Sequence, residues 1–156
     1  LPYLSGERTP HNNPHASGVF FGLTHAHGRG HLARAVLEGV AFAFLDGQQA
    51  LLDGGAQIDS VTLVGGGSRS SYWAQLLADV LGRRLDRRAG SEVGAALGAA
   101  RLARLARGNE SVAQVCAAPP PLADSFEPDL SRHAAFAERH ARFQRLYGAL
   151  REQMQP

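Results

Sequence analysis

The spacing of hydrophobic positions along the chain predicts a series of helices and strands. Between His31 and about Leu52 apolar residues recur near helical spacing, and the run VAFAFL in the middle is apolar on every side. A helix without a polar face over its middle turns is a buried helix, so we expect it to pack against a sheet. Residues 61–64 form a β-branched run typical of a strand. Residues 70–81 carry an apolar stripe at helical spacing and predict a second helix.

Weaker patterns predict the remaining elements. Residues 18–23 (GVFFGL) are rich in Val and Phe and predict a strand. Residues 83–89 (RRLDRRA) predict another short strand, whose charges favour a sheet edge or a strand end. Helices are predicted over residues 91–108, which are rich in alanine and glycine, and over residues 131–154.

These elements suggest how the chain is organised. We expect an irregular loop over residues 1–17, an α/β core over 18–108, a linker over 119–130 that begins with three prolines, and a C-terminal helix over 131–154. From residue 31 the order is helix, strand, helix, strand, helix. This alternation predicts a layered α/β domain, with part of its sheet supplied by sequence upstream of residue 1.

Composition excludes several kinds of chemistry. All 16 basic residues are arginine, so a Walker A loop and a Schiff-base lysine are both excluded. The net charge of +2 gives no reason to expect a nucleic-acid partner. The single cysteine, Cys116, cannot form an internal disulfide, which fits a reducing, cytoplasmic compartment. No apolar run approaches the roughly 20 residues of a membrane span, so no membrane partner is expected. The chain begins with Leu rather than Met, and we expect it to be part of a longer protein.

The most suggestive polar segment is VGGGSRSS, which follows the strand at residues 61–64. Three consecutive glycines, Gly65, Gly66 and Gly67, let a backbone approach a ligand where a Cβ would collide. The serines after them can cap the next helix, and Arg69 can face an anion. A nucleotide or phosphate site and a tight turn without a ligand fit this segment equally well. It is not a Rossmann fingerprint, because Ser70 stands where the third glycine is required.

Other candidate residues have simpler explanations. Three histidines, His25, His27 and His31, lie within seven residues, but their spacing favours hydrogen bonding and helix capping over a metal site. Five acidic residues are candidate general bases: Glu7, Glu38, Asp46, Asp79 and Glu92. Neither Glu7 nor Glu38 has a visible partner in the sequence, so we expect structural roles for these two. The arginines of the last helix are interrupted by glutamates and indicate a solvated face.

Several segments together resemble the FGGY carbohydrate kinases. The loop PYLSGERTPHNNP (residues 2–14) is similar to a second-domain loop of that family, and residues 18–47 match the family's C-terminal signature pattern. Residues 61–82 resemble its adenosine motif and the helix that follows, residues 92–100 (EVGAALGAA) match the next element, and residues 126–147 resemble its C-terminal tail. The segments occur in the family's order and cover nearly the whole chain.

The resemblance implies a fold and an activity. Family members consist of two ribonuclease H-like (actin-like ATPase) domains around a cleft, and this chain would be the later part of the second domain. They transfer the γ-phosphoryl group of ATP, with Mg²⁺, to a sugar hydroxyl, and the first loop is most similar to that of members acting on D-xylulose. By resemblance Gly65, Gly66, Gly67 and Ser70 border the nucleotide, Ser70 standing where relatives often have Asn.

The resemblance also implies what the chain lacks. In the family the catalytic aspartate lies upstream of the region matched here, so no catalytic or metal-binding residue is expected in this chain, and the chain alone should be inactive. The expected partners are a sugar, the N-terminal domain and a second copy in a homodimer. The alternatives are a non-catalytic actin-like module that binds a nucleotide or a protein, and an FGGY kinase for another sugar or polyol.

Overall fold

The structure is a computed structural model that describes residues 1–117 and 119–154. The helices within these residues are α1 (Arg29–Asp53), α2 (Ser71–Leu81), α3 (Gly94–Ala106), α4 (Val112–Cys116) and α5 (Leu130–Leu150). The strands are β1 (Val61–Leu63), β2 (Leu85–Arg88) and β3 (Leu122–Phe126). The chain forms two compact units. The helical unit comprises residues 1–59, 79–82 and 128–154, and the sheet unit comprises residues 60–78 and 83–127.

Aromatic side chains of α1 and α5 form the core of the helical unit. The ring of Phe42, on α1, lies 6.1 Å from the ring of Phe136 and 5.6 Å from that of Phe143, both on α5. Tyr3 extends this cluster, with its ring 5.8 Å from that of Tyr147. The prediction that α1 packs against a sheet is wrong within this unit, because its described partner is another helix. The prediction that its middle turns are buried on all sides is also wrong, since Phe44 is 55% exposed.

Two buried carboxylates join α1 to α5. Glu38 is paired with Arg34 of the same helix, at 2.7 Å, and with Arg139 of α5. One carboxylate oxygen of Asp46 lies 2.8 Å from Nε2 of His140 and accepts a hydrogen bond of 2.7 Å from the side-chain amide of Gln144. Buried charges are stable only when they are paired, so both residues have structural roles, as the sequence predicts for Glu38.

Helix α1 is also long and apolar enough, by length and composition alone, to cross a membrane. The core helix of a soluble protein meets the same criterion. Its two buried acidic residues face partners on α5, and paired carboxylates of this kind are typical of a helix packed against another helix.

The sheet unit contains a three-stranded sheet with the strand order β1-β2-β3. β1 and β2 are parallel and pair Leu63 with Arg87, whereas β2 and β3 are antiparallel and pair Arg87 with Asp124. The charged strand is therefore in the middle of the described sheet, and its predicted place at an edge or strand end is wrong. Arg87 is paired with Asp124 across the strands, which explains how a central strand can carry this charge.

Other sequence predictions are confirmed or corrected by the element bounds. The helices predicted from residues 31, 70, 91 and 131 correspond to α1, α2, α3 and α5. Residues 18–23 do not form a strand: Gly18 makes one isolated bridge with Pro2, and the segment after it has no strand partner among the described residues. The predicted linker over 119–130 contains β3, and α4 was not predicted at all.

Candidate functional site

Two loops meet at one edge of the sheet, where the parallel strands β1 and β2 end. The first loop runs from Gly65 to Ser70 and is called the glycine loop below; the second runs from Gly90 to Gly94. The backbone N–H of Gly65 donates a hydrogen bond of 2.8 Å to the carbonyl oxygen of Ser91, which joins the two loops. Ligands of open α/β sheets bind at the carboxyl ends of parallel strands, so this edge is the candidate functional site.

The three consecutive glycines differ in whether the fold requires glycine at their positions. Gly65 has φ +89° and ψ 177°, a conformation that is open almost only to glycine. A Cβ on Gly67 would lie 3.2 Å from the indole ring of Trp73, which is tighter than an ordinary contact. A Cβ on Gly66 would meet no atom within 4 Å. The fold therefore accounts for two of the glycines, whereas Gly66 is exposed and open to a ligand.

The glycine loop continues into helix α2 through a short 3₁₀ turn, Gly66–Arg69. The N–H of Ser68 donates to the carbonyl of Gly65 at 3.0 Å, and the N–H of Ser70 donates to that of Gly67 at 3.1 Å. The hydroxyl of Ser70 accepts a hydrogen bond of 3.2 Å from the N–H of Trp73, so Ser70 is the N-cap of α2. The N–H groups of Gly66 and Gly67 open the turn and have no acceptor within it.

Ser68 is the buried residue of the glycine loop. Its side chain is fully buried, and its hydroxyl has no hydrogen-bond partner within the described residues. Its carbonyl oxygen accepts a hydrogen bond of 2.8 Å from Nη1 of Arg87. Arg69, the next residue, is exposed, so the loop has one side chain facing the interior and the next facing solvent.

The second loop was not identified as part of the site from the sequence. Gly90 has φ +72°, and the hydroxyl of the buried Ser91 accepts a hydrogen bond of 2.9 Å from the N–H of Arg88. A Cβ on Gly94 would lie 3.1 Å from Cβ of Val64, so this glycine allows α3 to approach the end of β1. The sequence signal that could have identified this loop was a glycine that precedes a helix rich in small residues. That signal indicates a site only once β1 is known to pair in parallel with β2, because this pairing places the two loops side by side.

The structure brings the four predicted site residues together in one loop, but it gives the other candidates local roles. Nδ1 of His27 lies 2.9 Å from the hydroxyl of Thr24, and Nδ1 of His31 accepts a hydrogen bond of 3.2 Å from the N–H of Gly28. The carboxylate of Glu7 accepts the N–H of His11 at 2.9 Å. His27 and His31 therefore hydrogen-bond within the loop and at the start of α1, as predicted for them.

The side chains around the site do not form a metal centre in the part of the chain that the structure describes. No group of three His, Cys, Asp or Glu side chains among the described residues is placed to hold a metal ion. Asp86, on β2, has a pKa held below its usual value by hydrogen bonds from Arg84 and Ser125. Its charge is therefore already matched within the sheet. The residues present do not by themselves fit Mg²⁺, whereas the open backbone at Gly66 fits a ligand of the nucleotide or phosphate type.

Comparison with known proteins defines the class. Residues 1–107 match the FGGY family of carbohydrate kinases, C-terminal domain, and the chain belongs to this family. Its α/β fold is that of the C-terminal domain of sugar kinases. The predicted family membership and fold class are confirmed.

Individual relatives show which kinases of this family the chain is similar to. The chain is 56% identical over 150 residues to the xylulose kinase of Escherichia coli K12, covering 96% of this chain and 31% of that protein. A crystal structure of a xyloylose kinase from Brucella ovis superposes with a TM-score of 0.85 at 44% identity, covering 98% of this chain and 31% of the other. The gluconokinase of Bacillus licheniformis is 43% identical, but over only 82 residues, which cover 51% of this chain and 16% of that protein.

The chain thus spans about a third of the length of the xylulose kinases that it matches. This third of the relatives' length includes the segment that corresponds to the glycine loop.

Proposed function

We propose that this chain is the nucleotide-side part of an ATP-dependent sugar kinase that converts D-xylulose and ATP to D-xylulose 5-phosphate and ADP. The observation that carries the proposal is the glycine loop, where Gly66 is exposed and a Cβ on it would meet no atom within 4 Å. The similarity to xylulose kinases along nearly the whole chain supports D-xylulose as the substrate. The match to the gluconokinase supports a kinase for another sugar or polyol only weakly, because it covers half of this chain.

We assign the nucleotide to Gly65, Gly66, Gly67 and Ser70. The absent side chain at Gly66 leaves room for a ligand against the backbone. The first N–H groups of the turn have no acceptor among the described residues, and such donors suit an anionic or polar ligand. Gly65 and Gly67 act indirectly, since they allow the backbone to make the turn. Ser70 holds the start of α2 in place and borders the same surface.

The chemistry of such a kinase requires groups outside this chain. A general base takes the proton of the sugar hydroxyl, and Mg²⁺ with positioned cationic and dipolar groups stabilises the charge of the transferred phosphoryl group. The carboxylates Glu38, Asp46 and Asp79 are buried in ion pairs or hydrogen bonds, so none of them is free to act as the base. We therefore expect the 156-residue chain alone to show no turnover with Mg-ATP and D-xylulose.

We further propose that the enzyme is cytoplasmic and a homodimer, and that the N-terminal domain of the longer protein packs on this chain. Large apolar side chains such as Phe21, Phe44 and Leu51 are exposed in the helical unit. Large exposed apolar side chains are typical of an interaction face when they lie together, and these residues are our candidates for such a face. The single cysteine, Cys116, is exposed and free, which fits a reducing compartment.

A sugar panel tests the proposed activity. The full-length protein is assayed with Mg-ATP and, separately, D-xylulose, D-ribulose, gluconate and glycerol, with ADP formation as the readout. We expect kcat/KM for D-xylulose to exceed that for each other substrate by at least about tenfold. Activity confined to gluconate or glycerol would contradict the substrate. ATP binding without phosphorylation of any sugar would favour the non-catalytic module.

A further inference from the structure

Arg87, on the middle strand of the sheet, joins the glycine loop to β3. Its Nη1 donates a hydrogen bond of 2.8 Å to the carbonyl oxygen of Ser68. Its Nε and Nη2 donate to the same carboxylate oxygen of Asp124, at 2.9 and 2.6 Å. Arg87 and Asp124 are direct partners across β2 and β3. A single guanidinium therefore fixes the distance between the loop and the neighbouring strand.

The carbonyl that Arg87 binds lies at the end of a 3₁₀ turn. Carbonyl groups in the last turn of a helix lack donors within that helix, and Arg87 supplies the missing donor to Ser68. Because the peptide bond is planar, fixing the carbonyl of Ser68 also fixes the N–H of Arg69. The peptide between Ser68 and Arg69 lies between Gly67 and Ser70, two of the residues assigned to the nucleotide.

The contacts of Arg87 require an arginine in particular. A guanidinium has a planar set of donors that can point in two directions at once, whereas the ammonium group of lysine is a single charged point. Cζ of Arg87 also lies 5.4 Å from the centre of the Phe126 ring, a cation–π distance. The side chain is 21% exposed, so the ion pair is partly shielded from water. A lysine at this position would keep the positive charge but would not make the contacts with Ser68, Asp124 and Phe126 together.

We propose that Arg87 is a positioning residue for the nucleotide: paired with Asp124, it holds the peptide between Ser68 and Arg69 in the orientation in which the glycine loop binds ATP. The inference rests on the proposed function, since it assumes that this loop meets the nucleotide. Arg87 acts through the loop, and each of its three side-chain nitrogens donates a hydrogen bond to Ser68 or Asp124.

The experiment compares four variants in the full-length protein. Arg87→Met removes the side-chain donors, Arg87→Lys keeps the charge, and Asp124→Asn weakens the ion pair without removing the side chain. The matched control is Arg84→Met. Arg84 also binds its own sheet, through Asp86 and Ser125, and among the described contacts none reaches the glycine loop. For each variant the KM for ATP, the KM for D-xylulose and kcat are measured, together with amide hydrogen exchange of residues 65–70.

We expect Arg87→Met to raise the KM for ATP about tenfold, the scale of one lost charge-assisted hydrogen bond. The KM for D-xylulose should stay within about twofold, and exchange over residues 65–70 should become faster. Arg87→Lys should behave like Arg87→Met, and Asp124→Asn should give a smaller change in the same direction. Arg84→Met should change neither the KM for ATP nor the exchange of the loop.

Three results would overturn the inference. One is recovery of the KM for ATP in Arg87→Lys, which would mean that only the charge matters. Another is an equal effect of Arg84→Met, which would indicate a general loss of stability in the sheet. The third is unchanged exchange in Arg87→Met. If the reaction rate of the unsubstituted protein showed no saturable dependence on the ATP concentration, the proposed function would be wrong. This inference, which rests on it, would then be wrong too.

Discussion

Tyr3 is the buried residue of the N-terminal loop whose ionisation is most affected by its surroundings. Its ring packs against Phe143 and Tyr147, and its hydroxyl has no hydrogen-bond partner within the described residues. Burial, and to a smaller extent the negative charge of Asp46, raises the pKa of the Tyr3 hydroxyl well above its ordinary value. The folded protein therefore keeps this hydroxyl neutral at a pH where the unfolded chain ionises it.

The sign of the resulting pH dependence follows from linkage. Because the pKa of Tyr3 is raised on folding, its contribution to stability is complete below about pH 10 and is lost as the pH rises further. We expect Tyr3→Phe to leave the melting temperature unchanged or higher at pH 8, since it removes an unpaired buried hydroxyl. The variant should also lose less stability than the unsubstituted chain between pH 8 and pH 11. A marked loss at pH 8 would mean that the hydroxyl is hydrogen-bonded.

Gly65 and Gly66 are neighbours that should respond differently to the same substitution. Gly65 has positive φ with an extended ψ, so Gly65→Ala should lower the free energy of unfolding by about 1–3 kcal/mol. A Cβ on Gly66 meets no atom within 4 Å, so Gly66→Ala should change stability by less than about 0.5 kcal/mol. Chemical denaturation of both variants tests the difference. Equal losses would contradict the backbone geometry of the loop.

At the scale of elements, α1 has a buried and an exposed face. Phe42 is 5% exposed and packs between rings of α5, whereas Phe44 is 55% exposed. We expect Phe42→Ala to destabilise the 156-residue chain by about 3–5 kcal/mol because it leaves a cavity in the core. Phe44→Ala, the matched control on the same helix, should cost less than about 1 kcal/mol. Thermal unfolding of both variants measures the difference, and similar costs would argue against the described packing of α1.

The sequence predicts the elements that have strong periodicity and fails for those that depend on a partner. The spacing of α1, α2 and α5 and the apolar run of β1 are visible in the chain, and the structure confirms them. β3 (LADSF) is mostly exposed and has no alternating pattern, so its strand conformation depends on pairing with β2. The run GVFFGL has the composition of a strand but, beyond the isolated bridge at Gly18, has no strand partner among the described residues, and a strand without a partner is not stable.

The candidate site was partly predictable for the same reason. The glycine loop is continuous in the sequence, so its four residues could be named in advance, and resemblance to a family gave them a role. The second loop and Arg87 could not be found in this way, because they join the glycine loop only through the parallel pairing of β1 and β2. The charged side chains of β2 predicted an edge strand. The ion pair of Arg87 with Asp124 instead allows the strand to be central.

At the scale of the whole molecule, the chain is one part of a kinase-like architecture. It matches xylulose kinases along nearly its whole length while spanning about a third of theirs. Its buried carboxylates Glu38, Asp46 and Asp79 are engaged in structural pairs, and its open backbone is at the glycine loop. Our account therefore assigns nucleotide binding to this chain and proton transfer to a residue outside it.

The measurement that tests this account most directly is the steady-state kinetics of Gly66→Leu in the full-length protein. The side chain would occupy the space above the glycine loop that is open in the structure. We predict that the KM for ATP rises at least about tenfold, while the KM for D-xylulose and the melting temperature stay nearly unchanged. An unchanged KM for ATP, or an equal rise in both KM values, would contradict the assignment of the glycine loop to the nucleotide.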